Sequence, residues 1–273
     1  MDLQNAKIKN TLQITFLGTG TSTGVPVITC DCEVCCSTNP KDKRLRPSLF
    51  VSTPTQNLIV DTGPDFRQQM LGINAKQLDA ILMTHAHNDH ITGLDDVRPF
   101  NFLTKSDMHV YATLPTQERL KTIYHYAFEQ KYPGVPVIHL HTIQNQPTPL
   151  DIPRFDFPIT PIQVYHGQMP VLGFIFHNAK NERFAYITDA NRIPPEEMEK
   201  IKGCEYLVLN AVHDLEIHYS HFTLREAIVI AQQLAAKQTY ITHISHKMGL
   251  HDEVQQALPP NIQLAYDGLS ITF

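Results

Sequence analysis

The 273-residue sequence contains no tryptophan and no run of 18 apolar residues, and the second absence excludes a membrane-spanning helix. The opening MDLQNAKIKN has no apolar stretch behind its charges, so no signal peptide is expected. Basic residues are outnumbered: 22 Lys and Arg stand against 27 Asp and Glu, a formal net charge of −5. That balance argues against a long polyanion as the main partner, because nucleic-acid surfaces are usually basic. A small anionic ligand stays open. No GxSxG stretch is present to suggest a serine nucleophile. A cytoplasmic protein with no membrane partner is the reading these absences support.

Cysteine is scarce outside one place. Of five, Cys30, Cys32, Cys35 and Cys36 fall within VITCDCEVCC (27–36), and only Cys204 lies elsewhere. In a reducing compartment such a cluster points to metal ligation or catalysis more than to disulfides. Cys35 and Cys36 are neighbours in the chain and poorly placed to bond to each other. The spacing C-x-C-x2-C supplies three thiolates and lacks a fourth ligand.

Histidine is what the sequence has in excess, at 15 residues, and placement matters more than number. Alternating, β-branched segments predict strands at TLQITFLG (11–18), SLFVST (48–53), NLIVDTG (57–63), DAILMTH (79–85), HVYAT (109–113), ITPIQVYH (159–166), VLGFIFH (171–177), FAYITD (184–189), YLVLN (206–210), QTYITH (238–243), IQLAYD and LSITF. Helices are expected after Pro64, over 115–130, and over the amphipathic FTLREAIVIAQQLAAK (222–237). Strands come first in antiparallel pairs and then alternate with helices, which fits an α/β fold with a mixed sheet. The glycines of GTGTSTGVP lack the Lys-Ser/Thr of a P-loop, so a turn is expected there rather than a phosphate cradle.

The strongest local signal is THAHNDHITGL (84–94), in which His85, His87, Asp89 and His90 follow a buried strand. Four imidazole and carboxylate groups within six residues suit Zn, Mn or Fe. An unrelated polar loop is the plainer alternative, and the density of ligand types disfavours it.

The H-x-H-x-D-H pattern resembles that of the metallo-β-lactamase superfamily. GTGTSTGVP, the C-x-C-x2-C cluster and a late THISH together resemble its phosphoribosyl 1,2-cyclic phosphate phosphodiesterase branch. The resemblance runs from the first strand to the last and implies an αβ/βα four-layer sandwich. It implies one domain over 1–273, with a cysteine loop at about 18–47 and a lid at about 99–158.

Carried over residue by residue, the resemblance implies two catalytic divalent ions, Zn or Mn. His85, His87 and His166 would hold one, Asp89, His90 and His243 the other, with Asp189 shared. His166, Asp189 and His243 each end an expected strand, and Asp61 would sit beneath the site. Three thiolates of Cys30, Cys32 and Cys35 with His246 of THISH would complete a structural Zn site, leaving Cys36 spare, although Cys35 and Cys36 could exchange roles. His221 would be the catalytic acid, while Asp89 serves both as ligand and in catalysis. Arg98 and His213 would contact substrate. His218 is expected at the surface.

The implied activity is hydrolysis of a small cyclic phosphodiester, a ribose cyclic phosphate or cyclic nucleotide, by a hydroxide held between the metals. An RNA-processing nuclease of the same superfamily and a non-catalytic cofactor-biosynthesis protein of the same fold are the rivals. A small anionic phosphodiester is the expected partner, without a stable nucleic-acid complex, and a homodimer is the common expectation.

Overall fold

The computed structural model describes residues 11–129, 133–153 and 155–273. The opening decapeptide, on which the signal-peptide expectation rests, lies outside them, as does Gln130 at the end of the expected helix 115–130.

Alternation of apolar and polar side chains builds two sheets. The first contains β1 (Gln13–Gly18), β2 (Ser48–Ser52), β3 (Asn57–Val60), β4 (Ala80–Leu82), β5 (Met108–Ala112), β6 (Ile138–Thr142) and β13 (Ser270–Thr272). The second contains β7 (Ile159–His166), β8 (Met169–His177), β9 (Arg183–Ile187), β10 (Tyr206–Asn210), β11 (Gln238–Thr242) and β12 (Ile262–Leu264). Their strand orders are β13-β1-β2-β3-β4-β5-β6 and β12-β11-β10-β9-β8-β7. Both are mixed. β1, β2 and β3 pair antiparallel while β3, β4, β5 and β6 run parallel, and the second sheet repeats the pattern from β7 to β12.

Three apolar clusters define the layers. Ile14, Phe16, Val51, Phe174, Tyr186 and Val208 belong to the core between the sheets. Leucine or phenylalanine fully buried there contributes roughly 1.5–3 kcal/mol. Outside the first sheet, Phe66 and Met70 of the helix Phe66–Gly72 pack with Phe100 and Leu120. Outside the second, Leu224, Ala227, Ala231 and Leu234 of the helix Leu224–Leu234 form the inward stripe. Helix, sheet, sheet and helix thus stack as the expected four-layer sandwich. The last helix begins one residue after Thr223, which forms a capping box with Glu226, and ends before Ala235, whose φ of 50° breaks it.

The segment 99–158 is the stretch expected to form a lid. It forms the helix Arg98–Thr104, strand β5, the helices Leu114–Ile123 and His125–Glu129, and the edge strand β6, so its apolar residues extend the first sheet and its outer core. Among the described residues it supplies none of the lining of the cleft described below.

Candidate metal centre

Four ligand-type residues stand just past or at the end of a strand, while Asp89 and His90 lie in the short helical turn Asn88–Ile91. Thr84 and His85 follow β4, His166 closes β7, Asp189 follows β9 and His243 follows β11. Asp61, Asp189 and His243 have φ of 63°, 53° and 58°, the left-handed region. That conformation costs a non-glycine residue of order 1 kcal/mol or more. Here it turns the chain sharply at the strand end. The loop carrying Asp89 and His90 is clamped from below, because Thr62 N donates to the His90 carbonyl at 2.7 Å and Gly93 N to the Thr62 carbonyl at 2.8 Å. Gly63 permits the approach, since a Cβ there would stand 2.0 Å from the Asp89 carbonyl oxygen.

Three groups of side chains converge. Ligand atoms of His85, His87 and His166 lie within 4.8 Å of one another, as do those of Asp89, His90, Asp189 and His243, and those of His166, Asp189 and His221. Asp189 joins the last two, with Oδ1 3.1 Å from the Nε2 of both His221 and His243, and Oδ2 3.1 Å from His90 Nε2.

Hydrogen bonds behind the site set the imidazole orientation. His90 Nδ1 donates to Asp61 Oδ2 at 2.7 Å. His85 Nδ1 donates to Thr84 Oγ1 at 3.0 Å, and Thr84 Oγ1 donates in turn to Asp61 at 2.8 Å. His166 Nδ1 donates to the Ser220 carbonyl at 2.8 Å. In all three, Nε2 is left to face the cleft, the arrangement by which a backing acceptor fixes a ligand tautomer. Asp61, fully buried, is therefore the base of the site.

Charge in the cleft is finely opposed. Burial disfavours charge on His90 and His243, yet Asp189, with Asp89, outweighs it and raises both, His243 to about 9. Burial likewise works against ionised Asp189 and Asp89, but the neighbouring His90 and His243 hold both below the ordinary carboxylate range. By contrast, burial lowers His85 and His87, which keeps them neutral. Burial also brings His221 down to about 4 despite its hydrogen bond to Asp189. His90 Nε2 and His243 Nε2 approach Asp189 at 3.1 Å without the geometry of a hydrogen bond, and His243 Nδ1 is buried without a hydrogen-bond partner among the described residues. Two carboxylates, five imidazoles and orphaned buried nitrogens aimed at one space fit divalent cations, which would replace the protons now balancing the charge.

The cysteine cluster meets THISH as expected. Sγ of Cys30, Cys32 and Cys35 stand 3.2, 3.4 and 3.6 Å from His246 Nδ1. Cys36 is exposed and outside the group. A backbone hydrogen bond from Cys35, with His246 nearby, lowers the Cys32 thiol to about 6, whereas burial raises Cys35 to about 11. The glycine loop runs beside the same strand end: Thr21 N donates to the Ile244 carbonyl and Ile244 N to the Thr19 carbonyl.

Not every expected residue reaches the cleft, which has a volume of about 280 Å³. Arg98 does not; its guanidinium pairs with Asp95 one helical turn earlier. His213 accepts from Leu215 N at 3.2 Å and meets the His218 ring at 5.8 Å, outside the lining itself. His218, expected at the surface, lines the cleft 3.2 Å from His221 Nδ1. Thr21, Ser22, Tyr219 and Ser220 also line it and were not anticipated. The only sequence signal for them was proximity to the glycine loop and to His221.

The profile of the β-lactamase superfamily domain matches residues 56–244. This chain belongs to the metallo-β-lactamase superfamily. Its members are metal-dependent hydrolases, and the ligand-rich cleft lies where such chemistry needs it. A solved structure described as a new diphosphatase from the PhnP family is 39% identical, with a TM-score of 0.87, over 96% of this chain and 97% of that one. An octanoyltransferase of Porphyromonas gingivalis is 37% identical over 256 residues, 93% of this chain, but this chain spans only half of that protein. A ribonuclease Z of Methanopyrus kandleri is 23% identical over 261 residues, 85% of this chain and 93% of its own. No helix among the described residues is long and apolar enough to cross a membrane.

Proposed function

We propose that the protein is a phosphodiesterase that hydrolyses a small cyclic phosphodiester, a ribose cyclic phosphate or a cyclic nucleotide. The observation that carries this reading is the grouping of His85, His87 and His166, and of Asp89, His90, Asp189 and His243, at one cleft, which His87, Asp89, His166, Asp189 and His243 line while His85 and His90 lie buried behind them. These two groups would hold two divalent ions, Zn or Mn, with Asp189 shared between them. Such ions supply Lewis acidity toward a phosphoryl oxygen and make water a nucleophile near neutral pH. The likeness to a PhnP-family diphosphatase over almost the full chain supports phosphorus–oxygen chemistry. A cleft of about 280 Å³ and a net charge of −5 support a small substrate over RNA. Cys30, Cys32, Cys35 and His246 would hold a separate Zn with four protein ligands, a closed and therefore structural site.

The chain's own residues have three tasks in this reaction. Asp61 and Thr84 hold His90 and His85 in the tautomer that faces the cleft. Ser220 does the same for His166. His221 delivers the proton to the leaving alkoxide. Burial holds its imidazole below the usual histidine range. An anionic ester entering the cleft favours the protonated imidazole, so the acid would be charged by binding itself.

The test replaces His221 by Ala and measures metal content and turnover together. Metal content should stay at the wild-type level while turnover falls at least about 100-fold, the range of general acid catalysis. Metal loss would make His221 a ligand, as its contact with Asp189 and His166 also allows geometrically. Near-normal turnover would remove it from the mechanism.

A further inference from the structure

We infer that Tyr219 is a stacking platform for a planar ring on the substrate, so that the ester cleaved carries a nucleobase. The inference rests on the proposed phosphodiesterase reading for where the phosphate sits.

Tyr219 lines the same cleft as the candidate ligands yet stays 82% exposed. An aromatic ring that lines the cleft while remaining open to solvent is available to stack on a planar group bound there. Its position is nonetheless held firmly. Asn191 Nδ2 donates to the Tyr219 carbonyl at 2.8 Å, and His166 Nδ1 donates to the next carbonyl, that of Ser220, at 2.8 Å. The same imidazole that faces the metal group through Nε2 therefore anchors the loop that carries the ring. His218 stacks against Tyr219 with centroids 5.0 Å apart and 28° between planes. The backbone is anchored and one ring neighbour is in place, so little ordering remains to be done when a second ring arrives.

The cleft is small for a ligand pocket. Its volume of about 280 Å³ falls just below the roughly 300–1,000 Å³ typical of ligand pockets. A substrate larger than the cleft would extend past the exposed Tyr219 ring. Among the described residues, no Lys or Arg lines the cleft. Recognition beyond the phosphate therefore has to come from neutral contacts, and an exposed aromatic ring supplies them by stacking. Leu215 and Ile217, 64% and 85% exposed, precede Tyr219 at alternate positions and make an apolar strip in the sequence, outside the cleft lining.

The absence of tryptophan makes the test direct, because Tyr219→Trp creates a single fluorescent reporter. Adenosine 5′-monophosphate should quench the metal-loaded variant saturably, and ribose 5-phosphate should not. In parallel, a nucleoside 2′,3′-cyclic phosphate and its base-free methyl riboside counterpart are compared as substrates. Removing one base–aromatic stack weakens binding by roughly five- to 150-fold. Tyr219→Ala should thus lower the kcat/KM ratio of base-bearing to base-free ester by roughly tenfold, mainly through KM. Tyr219→Phe should keep that ratio, since the ring and not the hydroxyl does the stacking. Equal quenching by both ligands, or an unchanged ratio in Tyr219→Ala, would overturn the inference. So would a preference for esters with a flexible alkyl group, which would assign the strip to an acyl chain. Hydrolysis of neither ester, with selective quenching by the nucleotide retained, would sink the phosphodiesterase reading and leave the platform standing.

Discussion

At the scale of single residues, the site depends on acceptors that never touch the cleft. Asp61 receives Thr84 N, Thr84 Oγ1 and His90 Nδ1, all between 2.7 and 2.8 Å. Through Thr84 it also reaches His85, so one carboxylate orients a histidine from each of the two ligand groups. Asp61→Asn is the informative substitution, because asparagine tolerates the left-handed backbone at this position better than alanine does. It should weaken divalent-metal affinity by about 10–100-fold while the fold is kept. Competition with a chelator of known affinity measures this, and wild-type affinity would show that His90 is oriented by something else. His221 and His218 show what residue type alone conceals. Both are histidines in one polar stretch, and only the folded loop shows that the two rings approach within hydrogen-bond distance.

At the scale of elements, the cysteine loop is tied to the body of the protein twice over. One tie is the convergence of three thiol sulfurs on His246. The other does not involve sulfur. Arg44 is almost wholly buried, donates to Thr19 Oγ1 and the Ala265 carbonyl, and contacts His251 Nδ1 at 3.0 Å, with burial lowering it to about 10. Cys30→Ser should therefore cost one equivalent of tightly held zinc and lower Tm without unfolding the chain, with the catalytic metals retained. Elemental analysis before and after the substitution counts the ions. A full complement of zinc in the variant would refute the cysteine assignment. Elements were legible to different degrees. Strands whose apolar positions alternate and end in a ligand-type residue announced themselves, as at ITPIQVYH and QTYITH. The edge strand Ile138–Thr142 did not, since its alternation is short and prolines crowd the surrounding stretch. Arg98 was misjudged for a related reason: a nearer acidic partner at Asp95 claims it, and sequence proximity to the ligand loop does not show on which side the helix places it.

At the scale of the whole molecule, two mixed sheets bring residues far apart in sequence to one end of the sandwich. Separations such as 85 to 243 carry no local signal, so His166, Asp189 and His243 were readable as ligands only through a resemblance, whereas His85, His87, Asp89 and His90 stood out as a local motif. The ligand types at strand ends were visible in the sequence, but their meeting point, the walls of Thr21, Ser22 and 218–221, and the exclusion of 99–158 were not. Those follow from how loops fold over the strand ends. The size of the resulting cleft and the acidic balance of the chain underlie the proposal that this hydrolase acts on small cyclic esters. The measurement that bears on it most directly is a comparison of kcat/KM for ribose and nucleoside cyclic phosphates, linear diesters and a precursor tRNA, with Zn- and Mn-loaded protein. The account predicts that the cyclic esters are cleaved with the highest kcat/KM. Faster cleavage of the precursor tRNA would contradict it and establish an RNA-processing nuclease instead.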